Sequence, residues 1–277
     1  MTFEKATMDR NQIAWLASSA RARYRSGDYQ RAASEYREAI AIAERTPDFP
    51  LSEFSSLLNG LGVVCKYLGW FEEGERTYRR ALAMLEQALG PDHCELATLY
   101  HNLGGLEHAR GRYAEGEPFA RRSVEIREKA LGPDHPDVAA DLEALAAILD
   151  GQRKFGESEA LHLRAIAIFE GTYGPDHLEA GMILSNLGAL KQAQGKLEEA
   201  KPLHLRALGI KERCLGPSHP SVGITVNNLA LLDQAQGNRA EAIAGFERAL
   251  SILEPALGPK HPHVAACKAA YFKSLLE

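Results

Sequence analysis

An all-α repeat fold is predicted for this chain by three observations. The phrase Leu89-Gly90-Pro91-Asp92-His93-Cys94 returns at Leu131 to Pro136, Tyr173 to Leu178, Leu215 to Pro220 and Leu257 to Pro262, with its glycines 42 residues apart at 90, 132, 174, 216 and 258. A second set of turn residues, Gly27, Gly69, Gly111, Arg153, Gly195 and Gly237, keeps the same interval. Between the two sets, apolar residues recur at helical rather than alternating spacing, as in Val222-Gly223-Ile224-Thr225-Val226-Asn227-Asn228-Leu229-Ala230-Leu231-Leu232. A drift-free period in the range of roughly 20–50 residues means one supersecondary unit copied in tandem. Each copy is too small to bury its own apolar face and is stabilised by its neighbours.

The elements follow in order. Residues 1–11 form a lead-in, frayed or a short leading helix. The first unit pairs Ala14 to Ser26 with Arg31 to Ala43 around Gly27-Asp28-Tyr29, then leaves through the irregular connector Pro47-Asp48-Phe49-Pro50. It lacks the loop phrase and emerges only when the register is carried backwards. Further turns near 69, 111, 153, 195 and 237 give six helix pairs over residues 12–261, and residues 262–277 form one more first-helix pattern, a C-terminal capping helix. In the last pair the second helix is read as Ala240 to Leu253.

The phrase itself is a stop signal joined to a start signal. Its glycine can close a helix in the left-handed conformation and its proline prevents continuation. Pro136 suits a first turn, where Asp134, His135 or Asp137 can supply a capping acceptor. Pro118 and Pro202 fall near the starts of second helices, where a missing donor costs little.

Composition bounds the function. With 45% apolar and 25% charged residues in 277, one continuous domain can grow by addition of repeats. A net charge of −5 without a lysine- or arginine-dense run lacks the footprint of a nucleic-acid or anionic-membrane binder, so neither partner is expected. No apolar h-region follows Met1 and no eighteen apolar residues run together, which with four cysteines lacking CxxC spacing predicts a cytoplasmic protein with free thiols.

Counted from the turn glycines, Leu61-Gly62, Gly69-Trp70-Phe71, Gly74, Tyr78 and Ala81 in the second unit and Leu187-Gly188, Gly195-Lys196-Leu197, Ala200 and Ala207 in the fifth resemble the tetratricopeptide repeat. The 42-residue length, the Leu-Gly-Pro-Asp-His-Pro loops and the Asn-Asn-Leu-Ala or Ser-Asn-Leu-Gly of the first helix resemble the kinesin light chain subclass. The likeness spans residues 12–276 and implies a right-handed superhelical solenoid of six repeats plus a capping helix. The usual repeat is about 34 residues, and the extra length is assigned to the second helix and its exit loop. Arg153 for the turn glycine, Ser18 and Ser19 for Asn and Leu, and Cys94 and Leu178 for the last proline depart from the pattern, so the first and fourth units can pack or bind differently.

The resemblance also implies that first helices line a concave groove. The residue before the Leu-Gly/Ala pair faces it: Ser18, Gly60, Asn102, Ala144, Asn186 and Asn228, preceded by Ala17, Asn59, His101, Glu143, Ser185 and Asn227. An amide both donates and accepts, so a row of asparagines can hydrogen-bond an extended peptide backbone. The alternative is that they bridge neighbouring helices or are merely solvated. One turn on come Arg21, Val63, Gly105, Ala147, Ala189 and Leu231, then Tyr24, Lys66, His108, Asp150, Gln192 and Gln234. Arg21, Arg25, Lys66, His101 and His108 predict an acidic or carboxylate-ended segment bound toward the N-terminal half, while Glu143 and Asp150 interrupt that charge.

The loop histidines His93, His135, His177, His219 and His261 invite a metal reading. One ion needs Zn–N distances near ~2.1 Å, whereas successive repeats are displaced by roughly 8–10 Å, so capping is the better reading and no metal or cofactor is expected. His162 and His204 share the second-helix register of Tyr36, Tyr78 and Phe246 and are read as packing residues. No HExxH, GxSxG or GxxxxGK[ST] occurs. The sequence therefore predicts a non-catalytic scaffold for a short segment of a partner protein. The alternatives are a receptor for a small free peptide or metabolite and, least favoured, an enzyme with an unrecognised site. Self-association through the ends of the array is a further expectation.

Overall fold

The computed structural model of the protein describes residues 3–276. Among the described residues there are thirteen α-helices and no strand: α1 (Phe3–Arg25), α2 (Tyr29–Ala43), α3 (Leu51–Leu68), α4 (Phe71–Leu89), α5 (Cys94–Ala109), α6 (Tyr113–Leu131), α7 (Pro136–Gly151), α8 (Phe155–Tyr173), α9 (Leu178–Ala193), α10 (Leu197–Leu215), α11 (Pro220–Ala235), α12 (Arg239–Leu257) and α13 (Pro262–Leu276). Helix α1 runs unbroken through residues 3–11, the stretch read as a lead-in, whose first two residues lie outside the described range. The chain divides into two compact units, Met1–Pro133 with Ala147–Gln152 and Asp134–Ala146 with Arg153–Glu277. No described helix is long and apolar enough to cross a membrane.

Each unit is held by small residues meeting large ones across paired helices. In the first, a Cβ on Gly62 of α3 would fall 2.5 Å from the Tyr78 ring of α4, and one on Gly60 would meet Tyr36 of α2 at the same distance. These close approaches bury Tyr36 and Tyr78 with Leu61, Leu85, Leu103 and Leu106. In the second unit His204 of α10 fills the space over Gly188 of α9, as its register predicts, and Phe246 packs with Val222, Val226, Val264 and Cys267 at the end of the array. All four cysteines are free. Burial pushes the Cys65 thiol up to about 12 and Cys267 up to about 11, so both act as small apolar groups.

The two kinds of glycine do different work. Gly69 closes α3 in the left-handed conformation, at φ 72° and ψ 15°. Arg153 takes the same sign of φ, 60°, at the equivalent turn, with its guanidinium carbon 5.2 Å from the Phe155 ring centre. The phrase glycines differ from the sequence expectation. Gly90 has φ 86° and ψ 162°, and Gly132, Gly174, Gly216 and Gly258 repeat it closely. This is an extended region at positive φ that is essentially closed to residues with a Cβ. At each phrase the backbone thus leaves its helix straight into the segment that runs from the proline to the histidine, instead of curling back over it.

The histidine of each phrase is the cap. Nδ1 of His93, His135, His177, His219 and His261 accepts the backbone N–H two residues on, at 3.4, 3.1, 3.3, 3.1 and 3.2 Å. A bare ring nitrogen can do what a capping carboxylate does. The aspartates turn outward instead: Asp92 pairs with Arg122 at 2.6 Å and with Lys129, and Asp176 with Arg213 at 2.6 Å.

Second helices are longer than predicted. Helix α12 continues past Leu253 to Leu257 with Pro255 inside its last turn. Pro118 and Pro202 are sixth residues of α6 and α10, inside the helix and beyond the amides that lack partners. Both prolines, and the Ala114 and Glu198 whose carbonyls lose a donor, keep access to solvent, so water can replace the missing bond. Successive second helices are tied by pairs 36 residues apart: Arg80–Glu44 and Arg206–Glu170, both at 2.6 Å, and Arg248–Glu212. Such solvent-facing pairs contribute on the order of 0.2–1 kcal/mol each. They set register more than stability.

Candidate functional site

First helices neighbour one another within each unit, α1 with α3 and α3 with α5 in one, α9 with α11 and α11 with α13 in the other. The predicted site residues sit on these helices, but the structure commits several amides to helix–helix bonds. Asn102 Nδ2 of α5 donates to Asn59 Oδ1 of α3 at 2.7 Å. Asn186 Nδ2 of α9 donates to Glu143 Oε2 of α7 at 3.2 Å, and Glu143 Oε1 lies 2.6 Å from His162 Nδ1. The bridging alternative is therefore realised at two places, each joining positions 43 residues apart. These side chains remain partly or fully exposed, so each bridged amide keeps acceptor or donor capacity at the surface.

The sixth-unit asparagines are arranged differently. Asn227 and Asn228 are part-buried on α11, and Asn227 Oδ1 is buried without a hydrogen-bond partner among the described residues. Gln192 is part-buried on α9. Gln234 Nε2 donates to Ser274 Oγ at 2.7 Å and to the Ala270 carbonyl at 3.4 Å, which anchors α13. Under this face Ser185 Oγ lies 3.4 Å from Thr225 Oγ1, which accepts Lys211 Nζ at 3.0 Å. Lys211 is 3% exposed, and its burial lowers it to about 8. Register alone gave no sign of this buried amine.

The first unit carries the cationic end. Arg21 is exposed on α1, its Nε donating to the Ala17 carbonyl of its own helix at 3.2 Å. A cavity of about 240 Å³ opens beside it, lined by Arg21, Tyr24, Arg25, Tyr36, Gly60 and Val63 among others. Lys66 on α3 places Nζ 5.3 Å from the Tyr67 ring centre. Tyr67 in turn joins Tyr24 and Tyr29 in an aromatic trio with centres 5.1 to 5.8 Å apart, a cluster that sequence spacing did not reveal. Burial, then the Tyr67 hydroxyl, push Tyr24 up to about 12 and keep it neutral. His101 is part-buried. His108 departs from the expectation: burial first, then Lys66, hold it below its ordinary 6.5 against the pull of Asp150, so it adds no positive charge at neutral pH.

The sequence profile of the Tetratricopeptide repeat family matches residues 53–106, 95–170, 151–213 and 179–254. Among solved structures the chain is similar to BtubC (BKLC) from P. vanneervenii, with a TM-score of 0.71 and 23% identity over 84% of this chain and 94% of that one. It is similar to a Podosopora anserina protein described as a putative kinesin light chain with nearly identical TPR-like repeats, at 0.62 and 24% over 73% and 97%. The quorum sensor NprR from B. thuringiensis, in its apo form, aligns at 0.68 and 14% over 99% and 71%, and NprR in complex with its cognate peptide NprX at 0.64 and 13% over 100% and 73%. No curated protein matches the sequence significantly.

Proposed function

Because the chain belongs to the tetratricopeptide repeat family, we propose that it is a non-catalytic interaction scaffold which binds a short segment of a partner protein on the face of its first helices. Six units over residues 12–261, closed by 262–277 as a cap, are the framework of this reading. The observation that carries it is the cavity beside Arg21 and Arg25, whose floor is formed where the Tyr36 ring packs directly on Gly60. Two guanidinium groups at the mouth of a part-apolar cavity suit a carboxylate, whether an acidic side chain or a chain terminus. Asn59 and Asn102, with Asn186, Asn227 and Asn228 further along, are the proposed backbone contacts, and Gln192 supports the same face. The four free thiols favour a cytoplasmic setting.

A second reading, a receptor for a small free peptide, draws on the likeness to NprR, which has been solved with a peptide. Mass spectrometry of the co-purified ligand separates the two by ligand size. Charge reversal at Arg21 and Lys66 tests the site itself. Affinity for an acidic partner segment should fall at least about tenfold, with a flatter dependence on salt. Unchanged affinity and salt dependence would remove the cationic end from the site.

A further inference from the structure

The fourth unit's loop phrase differs from the others, and a cavity lies where it differs. Tyr173 stands where the other phrases have Leu89, Leu131, Leu215 and Leu257, and Phe169, one turn earlier, stands at the register of Leu85, Arg127, Lys211 and Leu253. In the second compact unit the two rings and His177 form a wall. Phe169 and His177 are stacked with centres 5.8 Å apart and 10° between planes, and Tyr173 covers His177 at 4.5 Å and 25°. Phe169 is 7% exposed and Tyr173 55%, so the stack has a closed inner end and an open outer face.

This wall bounds a cavity of about 700 Å³, completed by Ala140, Asp137, Glu143, Glu179 and Ile183. Three carboxylates and no lysine or arginine line it. Asp137 and Glu179 are second residues of α7 and α9, so two positive helix ends lie close by. Each is equivalent to roughly half a charge, which leaves the lining net negative. His177 Nδ1 accepts the Glu179 N–H at 3.3 Å, which requires that nitrogen to be unprotonated. The exposed Tyr173 face offers a cation an aromatic surface.

The third unit shows what fills the equivalent place from within. Arg127, at the Phe169 register, sets its Nη2 3.4 Å from Thr98 Oγ1, at the Ala140 register. A guanidinium there is exchanged for a phenyl ring in the fourth unit, and the partner helix loses its hydroxyl. We propose that this cavity binds an arginine side chain presented by the partner segment. A planar, weakly hydrated guanidinium can lie on the Tyr173 face while its edge donates to carboxylates, which a compact, strongly hydrated ammonium does less well. The inference rests on the partner-segment reading only for the source of the arginine. The cavity stands apart from Arg21, and it meets the asparagines only at Glu143, which accepts Asn186 Nδ2 at 3.2 Å.

The probe is N-acetyl-arginine amide, titrated against the whole chain and followed by NMR at the Tyr173 and His177 rings, with the neutral citrulline amide and the lysine amide alongside. The arginine probe should shift both rings and bind on the order of tenfold more tightly than citrulline, with lysine between. A double variant, Tyr173→Leu with Glu179→Ser, installs the residues found one repeat on, at 215 and 221, and so preserves the repeat. It should lose at least about tenfold in affinity at an unchanged melting temperature. Phe169→Arg, which restores the third unit's residue, should occupy the site internally and abolish the shifts. Equal binding of arginine and citrulline, shifts confined to other residues, or full affinity in the double variant would each overturn the assignment. Charge reversal at Arg21 should leave the probe's affinity unchanged, so failure here and failure of the first-helix site read out separately.

Discussion

His204 is a histidine asked to behave as an aromatic hydrocarbon. Its ring is fully buried over Gly188, and neither nitrogen has a hydrogen-bond partner among the described residues. Burial, with a smaller push from Lys211, lowers it to about 4 from an ordinary 6.5. The unfolded chain therefore takes up the proton first as pH falls. Stability is intact above about 6.5 and is lost progressively toward 4, and the full shift corresponds to roughly 3 kcal/mol. His204→Phe, the residue at 246 in the same register, should remove that loss: urea denaturation at about pH 7 and about pH 4.5 should show a smaller decrease in the variant. An equal decrease in both proteins would mean the ring is not buried neutral. The packing role was legible because 36, 78, 204 and 246 form one row. The unsatisfied nitrogens were not, because hydrogen-bond closure depends on side chains of other helices that do not repeat. The asparagines show the same limit: Asn102 is bridged because Asn59 precedes it by 43 residues, and no helix-by-helix reading weighs such a pair.

At the scale of an element, the end of α8 gives opposite values to two glycines three residues apart. Gly171 is an exposed helical position in the last turn of α8, and a Cβ there would meet nothing within 4 Å. Gly174 is equally open but holds φ 93° and ψ 164°. Gly171→Ala should stabilise the protein by about 0.5–1 kcal/mol through helix propensity. Gly174→Ala should destabilise it by about 1–3 kcal/mol through backbone strain alone. Thermal or denaturant melts of the two variants decide it, and a shift of the same sign in both would contradict the conformational account. The stop signal was visible in the sequence as a recurrent Gly-Pro, but its kind was not, since a glycine announces freedom at positive φ without saying which ψ is used. Tyr173 was visible in the same way: its departure from leucine stood in the phrase, while its stacking on His177 required the helix end to be placed.

For the molecule as a whole, tandem construction makes stability local. Within each compact unit helix pairs pack on their sequence neighbours, so loss at one end should propagate only as far as the contacts it removes. Helix α13 is the place to test this. Val264 and Cys267 are fully buried against α11 and α12, Gln234 donates to Ser274, and Arg239 donates to the Leu275 carbonyl at 2.7 Å. Its outer side leaves Phe272 and Leu276 exposed. Ending the chain at Pro259 should uncover Phe246 and Val226, weaken α11 and α12 by several kcal/mol on the scale of about two to three buried side chains, and release Gln234 into the first-helix face. Hydrogen exchange, followed helix by helix, separates the outcomes. Protection should fall in residues 220–257 while residues 29–131 keep theirs. Uniform loss across the chain would show a single cooperative domain, and unchanged protection in α11 would deny α13 its role as a cap.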